Sequence, residues 1–314
     1  MKILISEFMD EDAVASLRTG FDTRYDPSLV DRPAELLAGL KDADALIVRN
    51  RTQVNAQMLA AAATLKVVGR LGVGLDNLDL PACKARNVAV IPATGANALA
   101  VAEYVVATAM MLLRGAYVSS AAVAAGQWPR GSLSHGREIG GKTIGIVGYG
   151  GIGQLTAQLA RGLGLRVVAS DPMIDADAPV WRDTGVSRLT LDELIATSDI
   201  VSLHVPLVPE TRHLIGAERL ASMKPHAVLI NSARGGIVDE AALAIALKAK
   251  RLGGAALDVF EDEPLKAGSP LVDCPNLLLT PHIAGVTVES NARVSSMIAQ
   301  RVAAHLATHL SAAE

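Results

Sequence analysis

The chain has 314 residues, of which 50% are hydrophobic and only 3% aromatic, and its formal charge is −3. This length suits two domains, because a single hydrophobic core rarely grows to such a size. The weak net charge and the absence of any Lys/Arg run give no electrostatic footprint for nucleic acid or an anionic membrane, so a small molecule is the expected partner.

Short apolar segments alternate with helix-like segments along the first third of the chain. The apolar segments are ILIS at 3–6, ALIV at 45–48, KVVG at 66–69 and VAVI at 88–91, and helical patterns lie near 10–18, 33–40 and 55–62. This alternation predicts a small parallel sheet covered by helices. A longer Ala-rich helix is predicted from about Asn97 to Arg114. Its apolar surface predicts packing against a second copy of the chain in a homodimer.

A second series of strands and helices follows. The strands are predicted at 143–147, 166–170, 199–203, 227–231, 254–259 and 277–280, and the last segment, 286–310, is again helical in pattern. Six strands in this rhythm predict a doubly wound dinucleotide-binding sheet.

Directly after the strand TIGIV, residues 148–153 have the sequence GYGGIG, a G-x-G-x-x-G pattern that opens a helix. Gly148 permits the tight turn, Gly150 lets the backbone approach a pyrophosphate, and Gly153 lets the helix and the strand pack closely. The helix N-terminus, which includes Gly151 and Ile152, then offers free N–H groups to the phosphates. The strand-turn-helix context makes this a specific signal for a bound dinucleotide.

Asp171 ends the next strand, 18 residues after Gly153. A carboxylate at this position can accept hydrogen bonds from both ribose hydroxyls of the adenosine half and would repel a 2′-phosphate, which favours NAD over NADP. An Asp that starts the turn before Pro172 is compatible with the same placement.

We therefore predict an α/β protein with two doubly wound parallel-sheet domains. The central one, at 98–285, is a Rossmann domain that binds NAD. The other is a discontinuous, flavodoxin-like substrate domain formed by residues 1–97 and 286–314.

Three later segments place polar residues just after strands, at the edge where open α/β sheets bind ligands. They are NSARGG at 231–236, DVFEDEP at 258–264 and TPHIAG at 280–285. Together they supply a guanidinium, carboxylates and an imidazole. Each also has a plain structural explanation: a capping Arg, acids in a turn before Pro, and a His held by its own loop.

The combination of GYGGIG, NSARGGIVDE, ALDVFEDEP and LTPHIAG resembles the D-isomer-specific 2-hydroxyacid dehydrogenases. LGVGLDNLDL at 71–80 and GANALAVAEY at 95–104 extend the resemblance over nearly the whole chain. The resemblance implies hydride transfer between NAD and C2 of a small anionic 2-hydroxy or 2-oxo acid. It also implies that Arg234, Glu263 and His282 are catalytic.

The chemistry agrees with those roles. Reduction of a 2-oxo acid needs a proton on the oxygen, and an imidazole such as His282 titrates in the right range to supply it. A carboxylate such as Glu263 favours imidazolium and fixes the ring through its second nitrogen. The planar fork of Arg234 can hold the substrate carboxylate and polarise the reacting carbonyl.

The resemblance implies further contacts in both domains. Asp258 should face the nicotinamide carboxamide. Additional cofactor contacts are expected at His204, Pro206, Thr211, Ala233, His282 and Gly285. Backbone N–H groups of Val73 and Gly74 should bind the substrate carboxylate, with Asn97 as a further substrate contact. A simple bend after the KVVG strand is the alternative explanation for the glycines near Val73.

Arg49 and Arg51 place two guanidinium groups close together after a predicted strand, which suits a substrate with a second strong anion. Arg49 matches a position where phosphoglycerate dehydrogenases carry an Arg near the substrate phosphate. For Arg51, a solvated loop or an ion pair with Asp42 or Asp44 is an equal alternative. The segments ILISEFMDEDAV, ALIVRNRT and GRLGVGLDN resemble most the members acting on sulfolactate. We therefore predict 3-sulfolactate and 3-sulfopyruvate as substrates, with 3-phosphoglycerate, hydroxypyruvate or glyoxylate as the alternative.

Two competing functions remain within the same fold. Formate dehydrogenase activity needs no acid-base catalysis, and the pairing of Glu263 with His282 argues for alcohol chemistry instead. An NAD-sensing, corepressor-like binding protein could keep Arg234, Glu263 and His282, so a measurement of turnover must distinguish it from an enzyme.

No metal is expected. His305 and His309 lack the Glu of an H-E-x-x-H motif and are predicted to be surface or packing residues. Two distant cysteines, Cys83 and Cys274, and an N-terminus unlike a signal peptide predict a reduced, cytoplasmic protein without a membrane span.

Overall fold

A computed structural model describes residues 1–310, so the last four residues of the predicted substrate domain, 311–314, lie outside the described residues. The chain divides into two compact units. Unit 1 comprises Met1–Asn97 together with the segment that begins at Val286, and unit 2 comprises Ala98–Gly285.

Strands and helices alternate through both units. The strands are β1 (Lys2–Ile5), β2 (Asp22–Tyr25), β3 (Ala45–Val48), β4 (Val67–Arg70), β5 (Ala89–Pro92), β6 (Thr143–Val147), β7 (Arg166–Ser170), β8 (Ser187–Arg188), β9 (Ile200–Leu203), β10 (Val228–Asn231), β11 (Gly254–Leu257) and β12 (Leu277–Leu279). The helices are α1 (Glu11–Arg18), α2 (Pro33–Leu40), α3 (Ala56–Ala61), α4 (Leu80–Ala85), α5 (Ala98–Arg114), α6 (Ser120–Ala124), α7 (Gly151–Gly162), α8 (Pro179–Thr184), α9 (Leu191–Thr197), α10 (Ala217–Ser222), α11 (Glu240–Lys248) and α12 (Val288–Leu310).

Side-chain caps begin several of these helices. The side chains of Asp10, Asn55, Asp79 and Asp239 accept hydrogen bonds from backbone N–H groups in the first turns of α1, α3, α4 and α11. Thr190 forms a reciprocal capping box with the third residue of α9. Such caps satisfy N–H groups that the helix itself leaves without partners, and they fix where each helix starts.

Unit 1 contains a five-stranded parallel sheet in the order β2-β1-β3-β4-β5. This 2-1-3-4-5 order is the flavodoxin-like arrangement. Helix α12 packs on β4 so closely that a Cβ at Gly69 would lie 2.8 Å from side-chain atoms of both Ile298 and Val302. Buried Ile, Val and Leu side chains fill both faces of the sheet.

Unit 2 contains a seven-stranded parallel sheet in the order β12-β11-β10-β9-β6-β7-β8. Counted from β6, its first six strands follow the 3-2-1-4-5-6 order of a dinucleotide-binding sheet. Two clusters of buried apolar side chains cover the faces of this sheet. The structure therefore confirms the predicted α/β class with two parallel sheets.

Strands β2 and β8 and helices α4 and α6 were not predicted. Strand β2 has the sequence DTRY, with alternating half-buried side chains, and strand β8 is only two exposed residues long. Neither is an apolar run, and each lies at the edge of its sheet, where little burial is required. Helix α4 (LPACKA) was not predicted because it is short and buries only Cys83.

No single helix in the described part of the chain is long and apolar enough to span a bilayer. Helix α5 and the helical segment Tyr117–Ala124 meet the length and composition criteria only when taken together, and they are bent by 71°.

Candidate functional site

In unit 2 the predicted cofactor and catalytic residues follow parallel strands at their carboxyl ends. Gly148 comes directly after β6, Asp171 after β7, His204 after β9 and Asp258 after β11. Arg234 and His282 lie three residues beyond β10 and β12. Because the strands are parallel neighbours, their carboxyl ends meet at one edge of the sheet, where such folds bind ligands.

The glycine loop has the shape that a dinucleotide requires. Gly148 has a φ of +92°, and a Cβ there would lie 2.8 Å from backbone atoms of His204. A Cβ at Gly153 would lie 2.3 Å from the Gly148 carbonyl oxygen. Gly150 and Gly151, in contrast, have open space where a Cβ would project. The backbone is thus exposed at the N-terminus of α7, where helical N–H groups can bind a pyrophosphate.

The Asp171 carboxylate holds this loop. One oxygen accepts a hydrogen bond from the Tyr149 N–H at 2.8 Å, and the other accepts one from the Met173 N–H at 2.9 Å. A carboxylate has about four acceptor positions, so further positions remain for ribose hydroxyls.

His204, Pro206 and Thr211 lie in the segment that follows β9. The His204 Nε2 is 2.9 Å from the Ser202 hydroxyl, and burial lowers the pKa of His204 to about 4. The imidazole is therefore neutral at physiological pH. The Thr211 hydroxyl donates to the Pro206 carbonyl at 2.6 Å and accepts from the Val208 N–H at 2.9 Å, which fixes the loop.

Stability should depend on pH through His204. Below pH 6.5 the unfolded chain protonates this side chain more readily than the folded one, so the free energy of unfolding should fall as the pH is lowered from 6.5 to about 4. The contribution is about 3 kcal/mol at most. Urea unfolding of the wild type and of His204→Gln at several pH values would measure it. Parallel pH profiles for the two proteins would contradict this prediction.

The loop after β10 orients Arg234 through its own backbone. The Asn231 side chain accepts a hydrogen bond from the Ala233 N–H at 3.1 Å and donates one to the Arg234 carbonyl at 2.9 Å. The Arg234 guanidinium donates to the Ala233 carbonyl at 2.6 Å. A Cβ at Gly235 would lie only 1.7 Å from the Phe260 carbonyl oxygen, so glycine is required for this loop to pack on the next one.

His282 and Glu263 form a pair. The His282 Nδ1 lies 2.8 Å from one carboxylate oxygen of Glu263, and the other oxygen accepts a hydrogen bond from the Phe260 N–H at 3.1 Å. Both side chains remain partly exposed, at 44% and 38%. The ring is therefore fixed through one nitrogen while the other is available for proton transfer.

Asp258 fixes the backbone of the His282 loop. Its fully buried carboxylate accepts hydrogen bonds from the N–H groups of Ile283 and Ala284, both at 2.8 Å, and from the Thr280 hydroxyl at 2.6 Å. The Asp258 carbonyl oxygen accepts from the His282 N–H at 2.8 Å, where His282 adopts a φ of +56°. Gly285 ends this segment and unit 2. The structure thus gives Asp258 a positioning role, in addition to its predicted contact with the nicotinamide carboxamide.

Two contacts that support Asp258 were not predicted: Thr280 donates to the Asp258 carboxylate, and Tyr104 in turn contacts Thr280. The Tyr104 hydroxyl lies 2.7 Å from the Thr280 hydroxyl. Since Thr280 uses its only hydroxyl proton on Asp258, Tyr104 must be the donor. Tyr104 belongs to α5, so no local spacing in the sequence could indicate this contact.

Another residue missed by the sequence analysis is Ser232. Its hydroxyl oxygen is buried and has no hydrogen-bond partner among the residues that the structure describes. A buried polar atom of this kind usually serves a ligand or a bound water. Its place within the Arg234 loop makes it a candidate cofactor or substrate contact.

A second His–Glu pair lies in the same unit. The His213 Nε2 is 2.6 Å from a carboxylate oxygen of Glu261, and both side chains are exposed to nearly the same extent as those of the first pair. This pair was not predicted and provides a matched comparison for His282.

In unit 1 the two predicted arginines have different surroundings. The Arg49 guanidinium is half-buried, donates to the Asn291 side-chain oxygen at 2.8 Å and lies 5.8 Å from the centre of the Phe8 ring. Arg51 is exposed and forms an ion pair with Asp31, so its partner is neither of the two aspartates considered from the sequence.

The remaining predicted substrate residues follow the neighbouring strands β4 and β5. Val73 and Gly74 are half-buried in the loop after β4. The Asn97 side-chain oxygen is buried and lacks a hydrogen-bond partner within residues 1–310. This atom is a candidate ligand contact on the same grounds as the Ser232 hydroxyl.

Comparison with known proteins agrees with this chemistry. Residues 106–284 match the family model of the D-isomer specific 2-hydroxyacid dehydrogenase NAD binding domain. The chain is 53% identical to an (S)-sulfolactate dehydrogenase of Chromohalobacter salexigens, over 93% of this chain and 94% of that one. It is 41% identical to a D-3-phosphoglycerate dehydrogenase of Mycobacterium tuberculosis over 97% of its own length but only 57% of that relative.

A solved structure is similar over the same extent. The TT0316 protein from Thermus thermophilus superposes with a TM-score of 0.89 at 34% identity, and the match covers 98% of this chain and 97% of that one.

Proposed function

This chain belongs to the D-isomer specific 2-hydroxyacid dehydrogenase family, and from that premise we propose that it interconverts (S)-3-sulfolactate and 3-sulfopyruvate. It is an NAD-dependent oxidoreductase that acts on the CH–OH group of a 2-hydroxy acid. The observation that supports acid-base chemistry best is the 2.8 Å contact of His282 with Glu263.

We assign the roles in unit 2 as follows. When bound, NAD exchanges a hydride with C2 of the substrate. His282 gives a proton to the substrate oxygen in reduction and takes it back in oxidation, through the nitrogen that Glu263 does not hold. Glu263 fixes the ring and stabilises the imidazolium. Arg234 binds the substrate carboxylate and polarises the reacting carbonyl.

We propose that unit 1 is the substrate domain. Backbone N–H groups of Val73 and Gly74, with Asn97, would bind the carboxylate. The second anion, a sulfonate, would be bound by Arg49, with Arg51 as a further cation. Arg49 is the stronger candidate, because its Nη1 and Nε donate to no atom in the described part of the chain, whereas Arg51 is paired with Asp31.

A substrate panel tests this proposal. NADH oxidation would be measured with 3-sulfopyruvate, 3-phosphohydroxypyruvate, hydroxypyruvate and glyoxylate for the wild type, Arg49→Ala and Arg51→Ala. We expect the highest kcat/KM with 3-sulfopyruvate, and a loss of about 10- to 100-fold in Arg49→Ala, the value of a charge-assisted hydrogen bond. Arg51→Ala should lose less than about tenfold, the most that an exposed ion-pairing cation usually contributes. A preference for the phosphorylated acid would support the alternative of phosphoglycerate chemistry, and activity with none would contradict the proposal.

We propose that Asp171 makes NAD the preferred cofactor over NADP. In Asp171→Asn the remaining oxygen can still accept from the Tyr149 N–H, while the charge that repels a 2′-phosphate is removed. The ratio of kcat/KM for NADPH to that for NADH should therefore rise at least about tenfold. Steady-state assays with both cofactors measure this ratio, and an unchanged ratio would remove Asp171 from the role.

We also propose that the protein is a cytoplasmic homodimer. The surface of α5 and the segment after it exposes several large apolar side chains: Leu99, Met110, Met111, Tyr117, Val118 and Trp128. An exposed apolar patch of this kind is typical of a subunit interface. Light scattering at micromolar concentration should give twice the chain mass, and Val118→Asp should shift the equilibrium to monomer.

The proposed cytoplasmic location is supported by the cysteines. Cys83 and Cys274 are both free, which suits a reducing compartment.

A further inference from the structure

The loop that carries both arginines of unit 1 is held by a buried carboxylate. Glu7, two residues after β1, is only 3% exposed. One carboxylate oxygen accepts hydrogen bonds from the N–H groups of Arg49 and Thr52, both at 2.9 Å. The other accepts from the N–H groups of Arg51 at 3.0 Å and Asn50 at 3.3 Å. Four consecutive backbone N–H groups thus converge on one side chain.

This carboxylate is ionised at neutral pH. Burial by itself would raise the pKa of Glu7, but the N–H groups of Thr52, Arg49 and Arg51 outweigh burial and lower it. Burial lowers the pKa of Arg49, and the negative charge of Glu7 partly offsets this effect. The pKa of Arg51 is raised mainly by Asp31, and Glu7 adds a smaller contribution in the same direction.

Asn77 holds the same loop by donating hydrogen bonds to backbone carbonyl groups of the loop. Its side-chain nitrogen donates to the Thr52 carbonyl at 2.7 Å and to the Arg49 carbonyl at 3.3 Å. The buried hydroxyls of Ser6 and Thr52 lie 3.0 Å apart and add a further tie. We call Glu7 and Asn77, with their contacts to residues 49–52, the Glu7–Asn77 clamp.

The clamp joins two segments that both have proposed roles in substrate binding. Asn77 lies three residues after Gly74 in the loop that follows β4. Because its side chain bonds to the loop that follows β3, the backbone of Arg49 has a defined position relative to the Val73–Gly74 segment. The contacts with Asn291 and Phe8 then fix the guanidinium itself. A charged group that is fixed before binding loses little conformational entropy when an anion arrives.

We infer that Glu7 and Asn77 are positioning residues for specificity, which set Arg49 so that the enzyme prefers 2-oxo acids with a second strong anion. This inference rests on the proposed function. Glu7 cannot itself bind such a substrate, since it is buried, negatively charged and already accepts four hydrogen bonds. Its action has to pass through the loop that it holds.

Glu7→Gln tests the inference with almost no change of volume. In this variant an NH2 group replaces one carboxylate oxygen of Glu7. The backbone N–H groups that donate to that oxygen in the wild type would lose their acceptor, so the loop should shift. We expect the KM for 3-sulfopyruvate to rise at least about tenfold, with kcat within about twofold and kcat/KM for hydroxypyruvate within about threefold. Asn77→Asp, which loses the donor to Thr52 and Arg49, should act in the same direction and provides the same readout if Glu7→Gln fails to fold.

A double-mutant cycle with Arg49→Ala separates positioning from general stability. If Glu7 acts through Arg49, Glu7→Gln should leave the ratio of kcat/KM for the two substrates unchanged in the Arg49→Ala background. Asp199→Asn is the control, because Asp199 is also a buried carboxylate that accepts a backbone N–H, from Thr143 at 3.0 Å. It lies in unit 2, where it also forms ion pairs with Arg137 and Lys224. Asp199→Asn should lower stability without changing the substrate ratio.

The outcomes distinguish the two proposals. A wild type without preference for the substrate with a second anion would overturn the proposed sulfonate specificity and the inference with it. The inference alone would be overturned if the wild type has that preference but Glu7→Gln and Asn77→Asp change kcat/KM for both substrates equally or not at all.

Discussion

Replacing His282 with Ala is expected to lower kcat about 10³-fold for the reduction of the best 2-oxo acid. The substrate oxygen then has no positioned proton donor, and water must supply the proton. In the wild type, the contact with Glu263 at 2.8 Å fixes the ring that donates this proton. Binding of NADH, followed by its fluorescence, should change only a few-fold. Stopped-flow and steady-state rates at neutral pH would measure the effect.

The His213–Glu261 pair supplies the control for this experiment. It has similar exposure and the same residue types, so His213→Ala should lose a comparable contact and keep kcat within about twofold. Glu263→Gln should keep the contact with the Phe260 N–H but remove the charge that stabilises imidazolium, and we expect a loss in kcat of about tenfold or more. Unchanged turnover in His282→Ala would remove this residue from the acid role.

The architecture could be predicted because most strands are buried on both faces. A strand such as β3 or β11 is fully buried and therefore appears in the sequence as a continuous apolar run. The edge strand β2 has the sequence DTRY, which a polar turn could equally have. Its strand conformation is determined by pairing with β1, and that pairing is a tertiary property which the local sequence does not encode.

The candidate site was predictable to the extent that its residues follow strands and belong to motifs. The residues that hydrogen-bond to them could not be predicted. Tyr104 and Thr280 are 176 positions apart, and Glu7 holds the Arg49 loop from 42 positions away. Contacts of this kind depend on how elements pack, so spacing along the chain gives no sign of them. The ion pair of Arg51 with Asp31 could not be chosen over other aspartates for the same reason.

Arg234→Lys is expected to lower kcat/KM about 10²- to 10³-fold, although the positive charge is kept. The guanidinium is planar and can donate two parallel hydrogen bonds to a carboxylate, while an ammonium group is a point charge without that geometry. In the structure the loop fixes this side chain further, since the guanidinium donates to the Ala233 carbonyl and Asn231 holds the loop backbone. A lysine would keep attraction for the substrate and lose its orientation.

The loss of substrate orientation in Arg234→Lys should appear in the kinetics as a fall in kcat as well as a rise in KM. The reason is that a misaligned 2-oxo acid presents its carbonyl poorly to both the hydride and the proton.

Arg212→Lys is the matched control. Arg212 is exposed in the same unit and has no proposed role, so the kcat/KM of this variant should stay within about twofold of the wild type. Gly235→Ala should resemble Arg234→Lys without touching the guanidinium, since its Cβ would meet the Phe260 carbonyl and displace the loop. If Arg234→Lys raised KM and left kcat unchanged, Arg234 would bind the substrate through its charge but would not orient it for the reaction.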